Sequence, residues 1–134
     1  MRKSVLENIL FLLVLLLSPL ASNAATDFES GRILLKNCNE YLKIGDGGTS
    51  PEYIFGAGRC LGLVRGMIDA AAVFDSIAVE KGKTTTDIFC VPDGASTDQG
   101  VRVVIKYLND NPKELHQRGT ILIVLALMEA FPCE

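Results

Sequence analysis

The sequence predicts an all-α fold, a small four-helix bundle stapled by two disulfides. Three observations predict it. Apolar residues recur at three- and four-residue steps in four separate stretches, and no stretch alternates as a strand should. Four cysteines, Cys38, Cys60, Cys90 and Cys133, fall in one small domain. The N-terminus reads as an export signal, which puts those cysteines in an oxidising compartment.

The signal comes first in the chain. Arg2 and Lys3 form a positive n-region, and Ile9 to Leu17 is an unbroken apolar run. That run is too short for a bilayer span, which takes about 20 residues. Ser22 and Ala24 stand at the small-residue cleavage positions. Cleavage after Ala24 divides the chain into a signal peptide, residues 1–24, and a single domain, residues 25–134. An N-terminal membrane anchor is the alternative. No cysteine near the cleavage site suggests a lipoprotein. Without Arg2, Lys3 and Glu7 the remaining chain keeps 11 basic and 15 acidic residues, a net charge of −4. It has no Lys/Arg run, so nucleic-acid binding is excluded as a function class. With no tryptophan and few aromatics, so small a core profits from staples.

The first helix is predicted over Asp27–Lys43. Thr26 and Glu29 have capping-box spacing. Leu34, Leu35, Cys38, Tyr41 and Leu42 mark its apolar face. Gly45, Gly47, Gly48 and Pro51 then predict a loop reaching to Gly58. The second helix is predicted over Arg59–Lys81, with Cys60, Val64, Met67, Ala71, Phe74 and Ala78 on one face. Arg65 and Asp69 can pair across one turn. Gly58, Gly62, Gly66 and Ala70 recur every fourth residue and read as the crossing point of another helix, in the core or equally in a dimer. Gly82 is the expected C-cap.

A second loop carries "GKT" at Gly82–Thr84. A phosphate loop needs a glycine where Ile77 stands, a preceding strand and a following helix, so that reading fails. Ser96 and Gln99 form the capping box of a third helix, whose apolar face is Val101, Val104, Ile105 and Leu108, ending near Asn109. The fourth helix is predicted from Asn111 at the N-cap, with Pro112 at N1, to about Ala130. Its stretch Ile121–Met128 is apolar all round and is expected to be the buried centre.

Four cysteines allow three pairings, and spacing alone does not choose. Helical geometry narrows the choice. Helices three and four are joined too tightly to be anything but antiparallel, so Cys90, before one, meets Cys133, after the other. By the same logic Cys38, late in helix one, meets Cys60, early in helix two. No CxxC occurs and the chain has one histidine, so neither zinc nor a redox dithiol is called for.

Catalytic chemistry finds no residues to carry it. His116 has no thiol left to pair with, and no nucleophile elbow exists. Asp46 lacks the alternating ligands of a calcium loop. Asp93 in "VPDG" reads as a turn. The expectation is a non-enzymatic exported helical protein without cofactor or metal.

Four segments then carry a resemblance: "CLGLVRGMIDA" (Cys60–Ala70), "FCVPDGAS" (Phe89–Ser96), "VVIKYLNDNPKELH" (Val103–His116) and "ALMEAFPC" (Ala126–Cys133). In order and spacing the chain resembles the type VI secretion amidase immunity proteins of the Tai type. The resemblance implies a small periplasmic helical domain similar in fold to the acid chaperone HdeA. It also implies a function, occluding the substrate groove of a Cys/His peptidoglycan amidase delivered by sister cells, and a possible homodimer. After signal cleavage no membrane contact is expected. The exposed ends of helices three and four are the expected partner surface: Asp98, Arg102, Lys106, Asp110, Glu114, His116 and Gln117. The loop Gly45–Tyr53 is a second candidate, since binding residues favour loops on a rigid scaffold. The alternative implied is an HdeA-like stress chaperone, against which two staples and a single histidine speak, since both limit an acid switch.

Overall fold

The computed structural model describes residues 30–82 and 87–133. The predicted signal peptide and the predicted Thr26–Glu29 capping box lie outside the described residues. Four α-helices follow in order: α1 (Gly31–Gly45), α2 (Pro51–Glu80), α3 (Thr97–Asp110) and α4 (Gly119–Ala130). A short 3-10 turn, Pro112–Glu114, lies between α3 and α4.

The first N–H groups of a helix have no partner within it. In α1 the backbone supplies them from elsewhere: Gly31 donates to the carbonyl of Gln117 at 2.9 Å and Arg32 to that of Leu115 at 3.1 Å. Gly31 is required there, because a Cβ on it would stand 2.3 Å from Leu122 Cδ1.

α2 begins eight residues earlier than the sequence reading placed it. Ser50 caps it, its hydroxyl accepting from the amide of Tyr53 at 3.2 Å. Pro51 occupies N1 and Glu52 the first turn, both favourable at a positive helix end. The predicted loop to Gly58 is therefore only residues 46–50, and Glu52 and Tyr53 of the second candidate surface are helical. The glycines inside α2 misled: Gly56 is there for packing, since a Cβ on it would meet Glu40 Oε2 at 1.6 Å. Glu40 is itself buried, with Lys36 3.5 Å away. Gly82 closes the helix at φ +65° with its amide on the carbonyl of Val79, as expected of a C-cap.

α3 opens on the predicted capping box: Gln99 N–H donates to Ser96 Oγ at 3.2 Å, and Ser96 N–H to Gln99 Oε1 at 2.8 Å. α4 departs from expectation. It holds 12 residues, because Leu115 and Gln117 have turned their carbonyls to the start of α1 and Arg118 is extended (ψ 132°). A helix cannot run through such a segment, so the predicted helix from Asn111 is a 3-10 turn, a bend and then α4.

The core joins all four helices. Leu34 and Cys38 come from α1, and Cys60 and Val64 from α2. Val101, Val104, Ile105 and Leu108 come from α3, and Leu122, Ile123, Ala126 and Leu127 from α4. Phe89 enters from the loop before α3. α4 buries only one face; Ile121, Leu125 and Met128 are exposed. Phe74, expected in the core, is 71% exposed. Among the described residues nothing crosses the Gly58–Gly62–Gly66 stripe: a Cβ on any of the three meets open space. Glycine spacing reports a small-residue face but not which way it points.

Both predicted disulfides form, Cys38–Cys60 and Cys90–Cys133, each with Cα atoms 5.0 Å apart. The predicted bounds make the fourth helix longer than the third, whereas α3 has 14 residues and α4 has 12. What brings the ends together is Cys90 lying beside Phe131, its amide donating to that carbonyl at 2.8 Å. No helix of the described residues is long and apolar enough to cross a membrane.

Candidate partner-binding surface

α3 carries the first candidate surface. Asp98, Arg102, Lys106 and Asp110 recur every fourth residue and so lie in one line along the helix. They are already paired within that line. Arg102 Nε donates to Asp98 Oδ2 at 2.8 Å, and Lys106 Nζ is bonded to Asp110. Asp98 also accepts from the hydroxyl of Tyr41 on α1 at 3.2 Å. The Arg102 guanidinium, through its hydrogen bond, holds the Asp98 carboxyl below the usual aspartate value. Burial, and then the Asp98 hydrogen bond, push the Tyr41 phenol up.

The remaining predicted residues follow the end of α3. Glu114 and Gln117 are half-buried and bonded to each other. His116 is exposed, with Nδ1 2.8 Å from the carbonyl of Lys113. It lies in the bend, not one turn into a helix as predicted. The seven residues thus form a charged line on α3 and a polar bend beyond it. They do not converge on a cleft.

Two features went unread in the sequence. The first is the outer face of α2, where Leu63, Val73, Phe74, Ile77 and Val79 are exposed. Leu63, Ala70 and Ile77 stand seven residues apart, with Gly66 and Val73 between them, an a/d spacing that could have signalled a second apolar face. A groove of about 300 Å³ opens beside its N-terminal part, with Gly58 and Gly62 in its lining next to Ile33 and Leu63. Contiguous exposed apolar surface of this kind marks interaction sites.

The second is a groove of about 660 Å³ between the C-terminal half of α2 and the loop before α3. Among the described residues, Asp69, Asp75, Asp87 and Asp93 line it with Arg65. Arg65 pairs with Asp69 at 2.8 Å, the i,i+4 pair predicted. Asp93 lies in the predicted turn, closed by Ala95 N–H on the carbonyl of Pro92 at 3.0 Å with Gly94 at φ +86°. Asp87 is beside Cys90 and Cys133, but both sulfurs are committed to the disulfide and offer no thiolate to a metal.

Among the described residues, the stapled all-α domain thus presents exposed apolar positions on α2 and α4 and a line of charges on α3. The model of a known family, the Rap1a immunity proteins, matches residues 30–133. The chain belongs to that family. No curated protein and no solved structure matches it, so the likeness to HdeA rests on the sequence resemblance alone.

Proposed function

We propose that the chain is a periplasmic immunity protein that binds a peptidoglycan amidase delivered by type VI secretion and blocks it, doing no chemistry itself. The observation that carries this reading is the family match, which covers every helix of the bundle. Export fits the sequence signal and the two disulfides, which form in oxidising compartments.

Inhibition needs only occlusion. The α3 line, with Glu114, His116 and Gln117 beyond it, supplies charges held in place before the partner arrives. Exposed pairs one turn apart contribute little to stability, so exchanging them for bonds to the amidase costs little. The outer face of α2 is a different surface and is suited to a second copy of the chain, with Leu63, Ala70 and Ile77 as the seam and Gly66 allowing close approach.

The test is capture from periplasm with the oxidised, tagged mature chain. One stoichiometric amidase at neutral pH supports the reading. A broad set of clients caught only after acid exposure replaces it with the chaperone. Light scattering of the chain alone, with and without Ile77→Glu, checks the dimer.

A further inference from the structure

The ring of Tyr41 packs against the core from α1, yet its hydroxyl crosses to α3. We propose that Tyr41 is a positioning residue of the partner-binding surface. Acting through Asp98, it holds the Arg102 guanidinium in the orientation that meets the amidase, a role that rests on the proposed function and deepens it.

Two hydrogen bonds link three residues across two helices. The Tyr41 hydroxyl donates to Asp98 Oδ1 at 3.2 Å, and Arg102 Nε donates to Asp98 Oδ2 at 2.8 Å. Each carboxylate oxygen takes one donor, so the group cannot turn without losing a bond.

An ion pair one turn apart on a helix surface is loosely held by itself, because two long side chains must be ordered while water competes for both. The Asp98 and Arg102 side chains are 42% and 63% exposed. Tyr41 supplies an anchor below that surface. It is half-buried, and the Cys38–Cys60 disulfide ties its helix to α2 one turn earlier. A tyrosine has an apolar body to bury and a polar tip to offer, which suits it to this task. The other pair of the line, Lys106–Asp110, is bonded within α3. It is therefore the pair free to exchange its bond for one to the partner, while Asp98–Arg102 stays in place.

Other charges face this group from the neighbouring helices. Asp46, the C-cap of α1, adds its charge to that of Asp98 on Arg102. Arg65 on α2 reaches Thr97 beside Asp98 and is itself bonded to Asp69. An arginine ordered during folding has already lost its torsional freedom, so binding does not bear that cost.

Tyr41→Phe tests the role, since it removes the hydroxyl and keeps the ring. In the oxidised mature chain alone, carbon-detected NMR follows the Asp98 carboxyl. The Arg102 hydrogen bond is the main cause of its lowered value, and the Tyr41 bond acts in the same direction. Tyr41→Phe is therefore expected to raise the Asp98 midpoint, because the deleted bond favours the charged form. Amidase captured by the chain is then bound to wild type, Tyr41→Phe, Arg102→Ala and the double variant. Tyr41→Phe is expected to weaken binding about threefold where Arg102 is present and to have no effect where it is alanine. An unmoved midpoint, or wild-type affinity in Tyr41→Phe, would overturn the proposal. So would an equal loss in both backgrounds, since a merely structural tyrosine acts without Arg102. A chain that captures no amidase contradicts the proposed function, while the Asp98 midpoint still decides whether Tyr41 holds the pair.

Discussion

The amide of Gly31 donates to the carbonyl of Gln117 and, with that of Arg32 on Leu115, joins the start of α1 to the bend before α4. It explains two things at once. The first turn of α1 needs no side-chain cap, and Ser30 makes none. The segment after Glu114 cannot stay helical, since its carbonyls point away from its own axis.

Gly31→Ala tests this junction. The added methyl would meet Leu122 Cδ1 at 2.3 Å and the Leu115 backbone at 3.1 Å. Overpacking of this kind costs about 1–3 kcal/mol. Urea unfolding is expected to show a loss in that range. Gly62→Ala is the control: its site is open, and removing a helix-interior glycine should stabilise by about 0.5–1 kcal/mol. Equal destabilisation by both would mean that the glycine stripe is packed after all.

The one-sided burial of α4 predicts a contrast between neighbours on the same helix. Leu122 is wholly buried and Leu125 is 36% exposed. Leu122→Ala is expected to cost about 2–5 kcal/mol, and Leu125→Ala well under half of that. Similar losses would indicate a helix buried all round.

The two disulfides differ in access. Cys38 and Cys60 are 0% exposed, whereas Cys90 and Cys133 are both at the surface. Mild phosphine reduction of the native chain, followed by alkylation and peptide mapping, is expected to open Cys90–Cys133 first. Cys38–Cys60 should open only on unfolding. The chain-entropy model assigns roughly 3 kcal/mol to the inner loop and 4 kcal/mol to the outer. Early alkylation of Cys38 would contradict the packing described.

The Asp98 carboxyl titrates below its ordinary value because Arg102 bonds to its charged form. Its folded value is depressed, so its contribution to stability is present above the unfolded value, near 3.8, and is lost as pH falls through the lower folded one. Carbon-detected NMR should place the midpoint below 3.8. Arg102→Ala should move it up. No movement would mean that the pair is not formed in solution.

How much could be read in advance follows from which interactions are local. The Ser96–Gln99 capping box was legible, because both its bonds lie within one turn. The Arg65–Asp69 pair and the Pro92–Ala95 turn were legible for the same reason. The start of α2 was present in "SPE" but was outweighed by the glycines around it, and Gly56 answers to Glu40, a residue on another helix. The break before α4 could not be read locally, since Gly31 imposes it from the far end of the domain. The seven residues expected to meet a partner were placed by exposure and charge alone. The Asp75 groove needed the 87–95 segment folded back on α2 before its carboxylates could be seen to share a space.

The central claim is tested most directly by peptidoglycan hydrolysis. An amidase captured by the chain would be assayed while the oxidised mature chain is titrated in. The account predicts that hydrolysis falls linearly and stops at a fixed stoichiometry, with a complex recovered at that ratio. Undiminished hydrolysis in excess chain, with no complex formed, would contradict it.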